Sequence, residues 1–229
     1  MKIAIMQPYF FPYIGYFQLI NSVDVFVVYD DVNFIKQGWI HKNRILSNKE
    51  SYSISLQLTG VSSFKKINEI SIGGNRHKAL KTIEESYKKA PYFTEVYPIV
   101  ATIFSEKENN LSGFLVFALK QIAGFLEINT KFMISSQIEK NNSLKGKDKV
   151  LEICSLLNAD EYINAIGGQE LYDKAEFSEK NIGLHFIQSK PIVYKQFAND
   201  FVPWLSIIDV LMFNSKETVR KMLNDYELK

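Results

Sequence analysis

The N-terminal third of the chain carries short apolar runs and alternations that are typical of strands. Residues 1–6 (MKIAIM) and 25–28 (VFVV) are continuous apolar runs with the length of buried strands. Alternation across 32–45 and 52–58 predicts two further strands, joined as a hairpin at Ser47-Asn48-Lys49. Four strands are therefore expected before the first clear helical pattern.

The rest of the chain changes to helical spacing and then alternates between both patterns. Helices are predicted over residues 75–89, 92–104, 111–126, 147–157, 204–213 and 218–226, with Asn110 or Ser112 as the cap of the third. Strands are predicted over 131–134, 161–165, 184–187 and 192–194. This order indicates an α/β fold with a mostly parallel sheet. We expect one domain over residues 1–229, with a strand-rich part (about 1–74), a helical middle (about 75–128) and an α/β C-terminal part (about 129–229).

Composition and charge narrow the class of protein. Of the 229 residues, 46% are hydrophobic and 14% aromatic, which is enough to form a substantial core. A formal net charge of +2 gives no electrostatic reason to expect binding to nucleic acid or to an anionic membrane. No apolar run approaches the ~18 residues that span a bilayer, and no signal peptide is recognised at the start. The expected location is the cytoplasm.

The single cysteine and the absence of common motifs remove several enzyme classes. Cys154 excludes an intramolecular disulfide, and its amphipathic helical context favours a buried structural thiol over a nucleophile. The sequence contains no Gly-x-Gly-x-x-Gly, no P-loop, no His-Glu-x-x-His and no Gly-x-Ser-x-Gly.

Two predicted strands end in polar residues, and the segment after the first has an unusual composition. In open α/β sheets, ligands bind beyond the carboxyl ends of the strands. The segment 7–14 (QPYFFPYI) contains two prolines that stiffen it, and Gly15 would let the next helix start close to the sheet or to a ligand. We interpret Gln7, Tyr9 and Tyr13 as candidate substrate-binding residues; core packing is the alternative. The side chains expected in the core are Phe10, Phe11 and Phe17.

The second strand ends in two adjacent carboxylates, Asp30 and Asp31. Consecutive residues of an extended segment point to opposite faces, so the two are not expected to act as one acid–base pair. One of them is a candidate for orienting a substrate hydroxyl or amine, and the other for capping the next turn. A metal site is disfavoured, because it requires more oxygen ligands than the neighbouring sequence offers.

A second polar cluster surrounds His41, the best candidate for a general acid or base. If residues 33–43 are extended, Trp39, His41 and Asn43 share one face, as in a platform that stacks on a ring and hydrogen-bonds beside it. Lys36 and Arg44 lie on the other face, where the Arg44 guanidinium is suited to a phosphate or carboxylate. A solvent-facing hairpin whose tryptophan covers the core is the alternative.

The C-terminal part adds weaker candidates. Tyr194 and Gln196 are polar residues in apolar surroundings, and we expect one of them to reach the site. Ser206 and Asp209 have the spacing of a helix-capping pair, which explains them at least as well as catalysis does. A lone Gly-Gly at 167–168 is a weak indication of phosphate binding.

Together these residues resemble the WbqC-like protein family over essentially the whole chain. The most specific block is residues 6–17 (MQPYFFPYIGYF), followed by Asp24 and residues 29–32 (YDDV). The other matching positions are Lys36, Gly38-Trp39-Ile40, Asn43-Arg44-Ile45, Tyr87, Ala90-Pro91, residues 143–146 (SLKG), Tyr162, Tyr194-Lys195-Gln196, Phe201 and residues 205–209 (LSIID).

The resemblance implies an enzyme of bacterial surface-polysaccharide (O-antigen, lipopolysaccharide) biosynthesis. It suggests an N-acyltransferase or N-aminoacyltransferase that modifies the amine of a nucleotide-linked amino sugar. The acyl or aminoacyl donor is unknown, with CoA, a carrier protein or an ATP-dependent system as options. Under this hypothesis His41 removes the proton from the amine, and Asp30 or Asp31 orients it. Trp39 or a tyrosine stacks on the base or sugar, and Arg44 or Lys36 holds the diphosphate.

A weaker similarity concerns topology. A strand, a proline-containing loop, a glycine and then a helix is similar to the nucleotide-binding start of cytidylyltransferases and pantothenate synthetases. Those enzymes have a histidine just after the glycine, whereas Tyr16 follows Gly15 here. A nucleotide-dependent ligase or nucleotidyltransferase thus stays open as a second hypothesis. A non-catalytic binding protein of the same pathway is the third.

Overall fold

A computed structural model describes residues 1–197 and 200–229 of the chain. The strands are β1 (Lys2–Met6), β2 (Val25–Val28), β3 (Lys42–Ser47), β4 (Glu50–Ser55), β5 (Leu58–Thr59), β6 (Ser71–Ile72), β7 (Lys131–Ile134), β8 (Glu161–Ala165), β9 (Gly183–Ser189) and β10 (Tyr226–Leu228). The helices are α1 (Ile14–Asn21), α2 (Arg76–Tyr87), α3 (Phe93–Ser105), α4 (Leu111–Phe125), α5 (Gly146–Leu156), α6 (Lys174–Ser178), α7 (Ile207–Phe213) and α8 (Lys216–Met222). Short 3₁₀ helices lie at Ile67–Glu69, Ser135–Gln137 and Ile166–Leu171.

A six-stranded sheet in the order β10-β9-β8-β1-β2-β7 forms the centre of the molecule. All neighbouring strands are parallel except β10, which runs antiparallel to β9. The predicted α/β fold with a mostly parallel sheet is therefore confirmed. If the six strands are numbered as they occur along the chain, their order is 3-2-1-4-5-6, which is the order of doubly wound nucleotide-binding folds.

Side-chain alternation along β1 divides the core into two layers. Ala4 faces a large apolar cluster that includes side chains of α1–α4, α7 and α8. Ile3 and Ile5 point the other way, into a smaller cluster with Val150 and Cys154 of α5 and side chains of α6. Both faces of the sheet are thus covered, which explains why its strands read as continuous apolar runs in the sequence.

Most predicted elements are confirmed, with shifts at their ends. The hairpin forms between β3 and β4 and turns at Asn48 and Lys49, which both have positive φ. The Asn110 side chain accepts from the Gly113 backbone N–H at 3.1 Å and caps α4. Cys154 is buried in α5, and burial raises the pKa of its thiol to about 12. It is therefore a core residue, as predicted.

Two predicted strands and the end of one predicted helix differ from the structure. Residues 34–41 form turns rather than a strand, since Phe34 N–H bonds to Lys65 and Gly38 N–H closes a turn on Ile35, so the hairpin begins only at Lys42. Residues 192–194 are not a strand, and the outer edge of β9 pairs with β10 instead. The last predicted helix ends at Met222, and Tyr226 belongs to β10. Among the described residues, no helix has the length and hydropathy needed to cross a membrane.

Candidate functional site

A cleft of about 1030 Å³ opens at the carboxyl ends of four parallel strands. Met6 at the end of β1 and Gln7 directly after it line the cleft. Tyr29, the residue that follows β2, lines it as well. Asn164 contributes from β8 and Gln188 from β9. β1 and β8 are the adjacent strands at which the chain order reverses, and in open α/β sheets the crevice at such a point is where ligands bind.

The loop between β1 and α1 is held rigidly against the hairpin. Phe10 and Phe11 are fully buried, and Phe11 has a φ of +44°. The Asn43 amide donates to the carbonyls of both residues, at 3.0 and 2.8 Å, while its oxygen accepts from the Arg44 backbone N–H at 2.8 Å. Asn43 thus fixes the loop that places Tyr9 and Tyr13 on the cleft wall. Its side-chain nitrogen is occupied by these two bonds to the main chain.

Gly15 brings the start of α1 into direct contact with the end of β9. A Cβ atom at this position would lie 2.5 Å from Ser189 Oγ, which is closer than such contacts allow. Ser189 and Gly15 both line the cleft. The close approach predicted for Gly15 is confirmed, and its partner is the sheet itself.

One wall of the cleft combines aromatic rings with a cation. The Arg44 Cζ atom lies 5.4 Å from the centre of the Trp39 ring, and its Nη2 donates to the Trp204 carbonyl at 3.4 Å. The rings of Trp204 and Tyr13 are 5.2 Å apart at 52°. Trp39 and Trp204 are 44% and 61% exposed, so the wall presents large apolar surfaces to the cleft.

The opposite wall is formed by the start of α5 and by the segment after β8. Gly146 and Lys147 line it from α5, and Lys147 forms an ion pair with Glu176. Gly167 and Gly168, flagged from the sequence, also line the cleft. A Cβ at Gly168 would lie 2.8 Å from the Asn164 side-chain nitrogen, so a larger residue there would displace the Asn164 amide.

Three polar atoms of lining residues are buried without a hydrogen-bond partner in the described part of the chain: Tyr29 Oη, Arg44 Nε and Gln188 Oε1. Burial, and then the negative charge of Asp31, raise the pKa of Tyr29, so its phenol keeps its proton and serves as a donor. Buried polar groups are normally paired, so each of these three atoms marks a point where water or a polar ligand would complete the wall. Among the described residues that line it, none is an aspartate, a glutamate or a histidine.

Asp30 and Asp31 follow β2 in the chain and do not line the cleft. The Asp30 carboxylate accepts from the hydroxyls of Ser112 and Ser136, at 3.1 and 2.7 Å, and from the Ser136 N–H at 2.9 Å. Asp31 accepts from Ser135 at 2.7 Å and from a pair of buried lysines. The two carboxylates have separate partners, in agreement with the prediction that they are not one dyad.

The buried lysines are Lys149, with Nζ at 2.7 Å from Asp31 Oδ2, and Lys140 at 3.0 Å. Their side chains are 5% and 1% exposed. Burial works to raise the pKa of Asp31, but the hydrogen bonds from Lys149, Ser135 and Lys140 outweigh it and lower the pKa. The carboxylate is therefore ionised and bridges the loop after β2 to α5.

His41 and Lys36 lie in the turn-rich segment before β3 and do not line the cleft. The His41 ring packs against Phe34 at 5.5 Å, and its buried Nδ1 has no partner in the described part of the chain. Burial, and then the charge of Lys42, lower the pKa of His41, so the ring is neutral near pH 7. Because the segment is not extended, Trp39, His41 and Asn43 do not share a face, and the catalytic role of His41 stays a prediction.

Tyr194 and Gln196 belong to a buried network around Asp209 rather than to the cleft wall. Tyr194 Oη and Gln196 Nε2 donate to Asp209 Oδ2 at 2.6 and 2.7 Å. Tyr87 donates to Oδ1 at 2.7 Å. Asp209 is fully buried, and the Ser206 side chain forms no capping hydrogen bond to α7. The predicted capping pair is thus wrong, and Asp209 instead connects three parts of the chain.

Sequence reasoning missed Trp204 and the polar residues Asn164, Tyr172 and Gln188 of the cleft wall. Trp204 was assigned to the start of the last long apolar helix, which in fact begins at Ile207. Pro203 directly before it is compatible with a helix start at 204, so the sequence carried no signal that separates Trp204 from α7. Asn164 and Gln188 lie near the carboxyl ends of β8 and β9, and Tyr172 follows the 3₁₀ helix Ile166–Leu171, but none of the three carries a distinguishing pattern.

Known proteins match this chain over nearly its whole length. The profile of the WbqC-like protein family matches residues 7–221, from the loop after β1 into α8. Uncharacterized protein Rv1507c of Mycobacterium tuberculosis is 31% identical over 219 residues, which make up 93% of this chain and 93% of that protein. No solved structure matches the chain. The chain belongs to the WbqC-like protein family.

Proposed function

We propose that this protein is a transferase that binds a nucleotide-linked amino sugar in the cleft and attaches an acyl or aminoacyl group to the sugar amine. The modified sugar would enter a bacterial surface polysaccharide. The observation that carries the proposal is the position of the cleft, at the reversal point of a sheet with the strand order 3-2-1-4-5-6. Its size of about 1030 Å³ is at the upper end for ligand sites and suits an extended substrate.

The chemistry of the walls supports an anionic substrate that carries a flat ring. Within the described part of the lining, Arg44 and Lys147 are the cationic residues and none is acidic. A guanidinium binds phosphate oxygens in a bidentate manner, and aromatic walls stack on planar rings. The diphosphate is therefore assigned to Arg44, and Gln7, Gln188 and Asn164 are available to the sugar hydroxyls.

The chemical step requires a neutral amine. The amine nitrogen attacks the acyl carbonyl carbon, the new C–N bond forms, the bond between the acyl group and its carrier breaks, and one proton leaves the nitrogen. Orientation beside the donor supplies much of the rate, because the amine itself is the nucleophile. His41 remains the proposed acceptor of the proton, with Asp30 and Asp31 as the other candidates. All three lie outside the cleft wall, so variants must decide their roles.

Binding is tested by calorimetry with nucleotide-linked amino sugars, compared with the same sugars without the nucleotide. We expect binding of the former, and a loss of about 10- to 100-fold in Arg44→Ala, because a charged hydrogen bond to phosphate is removed. Arg220→Ala is the matched control, since Arg220 of α8 pairs with Glu127 and neither residue lines the cleft. Absence of binding to every nucleotide sugar would refute the proposal.

Transfer is tested by mass spectrometry of mixtures that contain the nucleotide sugar and a CoA-, carrier- or ATP-dependent acyl donor. The expected product carries the mass of an added amide. Binding without a product from any donor would favour the third hypothesis, a non-catalytic binding protein of the same pathway.

A nucleotide-dependent ligase or nucleotidyltransferase is the second candidate, and the order of the strands supports it. The same crevice suits a nucleoside triphosphate, and α1 begins directly at its edge. This candidate predicts binding of ATP or CTP and release of pyrophosphate. Calorimetry that shows no triphosphate binding, with or without magnesium, would remove it.

A further inference from the structure

Trp204 has a strained backbone at the rim of the cleft. Its φ is +60°, in the left-handed region that bulky residues rarely adopt, and 61% of the residue is exposed. Such conformations cluster at functional sites, where the surrounding structure enforces them. A large, exposed apolar ring in a strained conformation contributes little to the core, so its position calls for another explanation.

Hydrogen bonds from both sides hold Trp204 in place. Arg44 Nη2 donates to the Trp204 carbonyl at 3.4 Å, and the Arg44 carbonyl accepts from the Ser206 N–H at 2.8 Å. The next residue, Ile207, donates its N–H to Pro12 at 2.9 Å. The segment that carries Trp204 is thus tied both to β3 and to the loop after β1.

The two tryptophans of the wall differ in the surface that they offer. The Arg44 guanidinium lies over the ring of Trp39, so one face of Trp39 is already in use. Trp204 instead meets the Tyr13 ring at a tilt of 52°, and most of its surface stays open. Trp39 is therefore suited to positioning Arg44, and Trp204 to receiving a ligand ring.

We propose that Trp204 is the stacking platform for the nucleobase of the substrate, with Arg44 beside it for the adjoining phosphate and Trp39 holding Arg44 from behind. This inference rests on the proposed function, and it assigns one end of the cleft to the base. The sugar then extends along the carboxyl ends of the strands towards Asn164 and Lys147. Stacking of a base on an aromatic side chain contributes about 5- to 150-fold in affinity.

Tryptophan fluorescence can report on Trp204 alone once Trp39 is replaced, because the chain contains only two tryptophans. In Trp39→Phe, Trp204 is the single tryptophan and the phenyl ring still supports Arg44. We expect uridine and thymidine diphosphates to quench its emission, and a base-free sugar 1-phosphate to leave it unchanged. Equal quenching by the base-free probe, or none by the nucleotides that wild-type protein binds, would overturn the assignment.

Substitution at Trp204 separates the ring from the strain. Trp204→Gly removes both, since glycine adopts positive φ freely, whereas Trp204→Phe keeps an aromatic ring. We expect Trp204→Gly to lose about 5- to 150-fold in nucleotide affinity with an unchanged or higher melting temperature, and Trp204→Phe to retain most of the affinity.

The outcomes distinguish this inference from the proposed function. Wild-type affinity in Trp204→Gly would reject the stacking role and leave the nucleotide-sugar cleft intact. If wild-type protein binds no nucleoside diphosphate and no nucleotide sugar, both are rejected. A loss of affinity in Trp204→Gly with a matching fall in melting temperature would show a structural role and also reject the assignment.

Discussion

Tyr87 donates its hydroxyl to Asp209 at 2.7 Å, and the two residues stand 122 positions apart in the chain. The same hydroxyl accepts from the Leu46 backbone N–H at 2.8 Å, so one phenol connects β3, α2 and α7. Tyr194 and Gln196 complete the shell of the carboxylate. This network supports the side of the molecule that carries Arg44 and Trp204, because β3 and the segment before α7 both contact it.

Removing the Asp209 carboxylate leaves three buried donors without an acceptor. We expect Asp209→Ala to lower the free energy of unfolding by about 2–4 kcal/mol, as measured by chemical denaturation. Glu227→Ala, at an exposed position of β10, is the matched control and should change it by less than about 0.5 kcal/mol. Equal stability of the two variants would show that the network contributes little.

The Asp31 cluster predicts a definite order of effects. Asp31→Leu leaves two lysines buried without a counter-charge and should cost about 3–5 kcal/mol. Lys140→Met leaves Asp31 paired with Lys149, and we expect a cost below about 2 kcal/mol. Denaturation of both variants at pH 7 measures the order. The reverse order would mean that Asp31 is not the centre of the cluster.

Asp31 and Asp209 should give opposite dependences of stability on pH. The pKa of Asp31 is lowered from its ordinary value of 3.8, so its contribution is complete above pH 3.8 and is lost as the pH falls through the lower folded pKa. Burial raises the pKa of Asp209, so its ionisation costs stability as the pH rises from 3.8 through the folded pKa. Denaturation from pH 2.5 to 7 should therefore show a shallower acid-side rise in Asp31→Asn and a steeper rise in Asp209→Asn. Unchanged slopes in both would contradict the two shifts.

His41→Ala tests the catalytic assignment once turnover is established. A general base contributes about 10²–10⁴-fold to turnover. The proposed role of His41 predicts a loss of that size in the variant. The ring packs on Phe34 and does not line the cleft, so a loss below about tenfold would instead assign the proton to Asp30 or Asp31. His77→Ala, at an exposed position of α2, is the control. A loss near 10³-fold with an intact fold would confirm His41 as the base.

The fold class and the location of the candidate site follow closely from sequence patterns. Buried parallel strands read as apolar runs, and their carboxyl ends must lie on one edge, so Gln7, Tyr9 and Tyr13 could be placed near a crevice in advance. The turns before β3 could not, because the pairing of Phe34 with Lys65 joins segments that are separate in the sequence.

The sequence by itself determined the five parallel strands of the central sheet, most helices and the polar residues at the strand ends, since these depend on local periodicity and on chain direction. Only the tertiary structure decided how those polar residues are used. It committed Asn43 to the loop carbonyls and Asp30 and Asp31 to buried serines and lysines, and it joined Tyr194 and Gln196 to Asp209. It also brought Trp204 to Arg44 across 160 positions. Such long-range pairs depend on the packing of elements around the sheet, which no local pattern specifies.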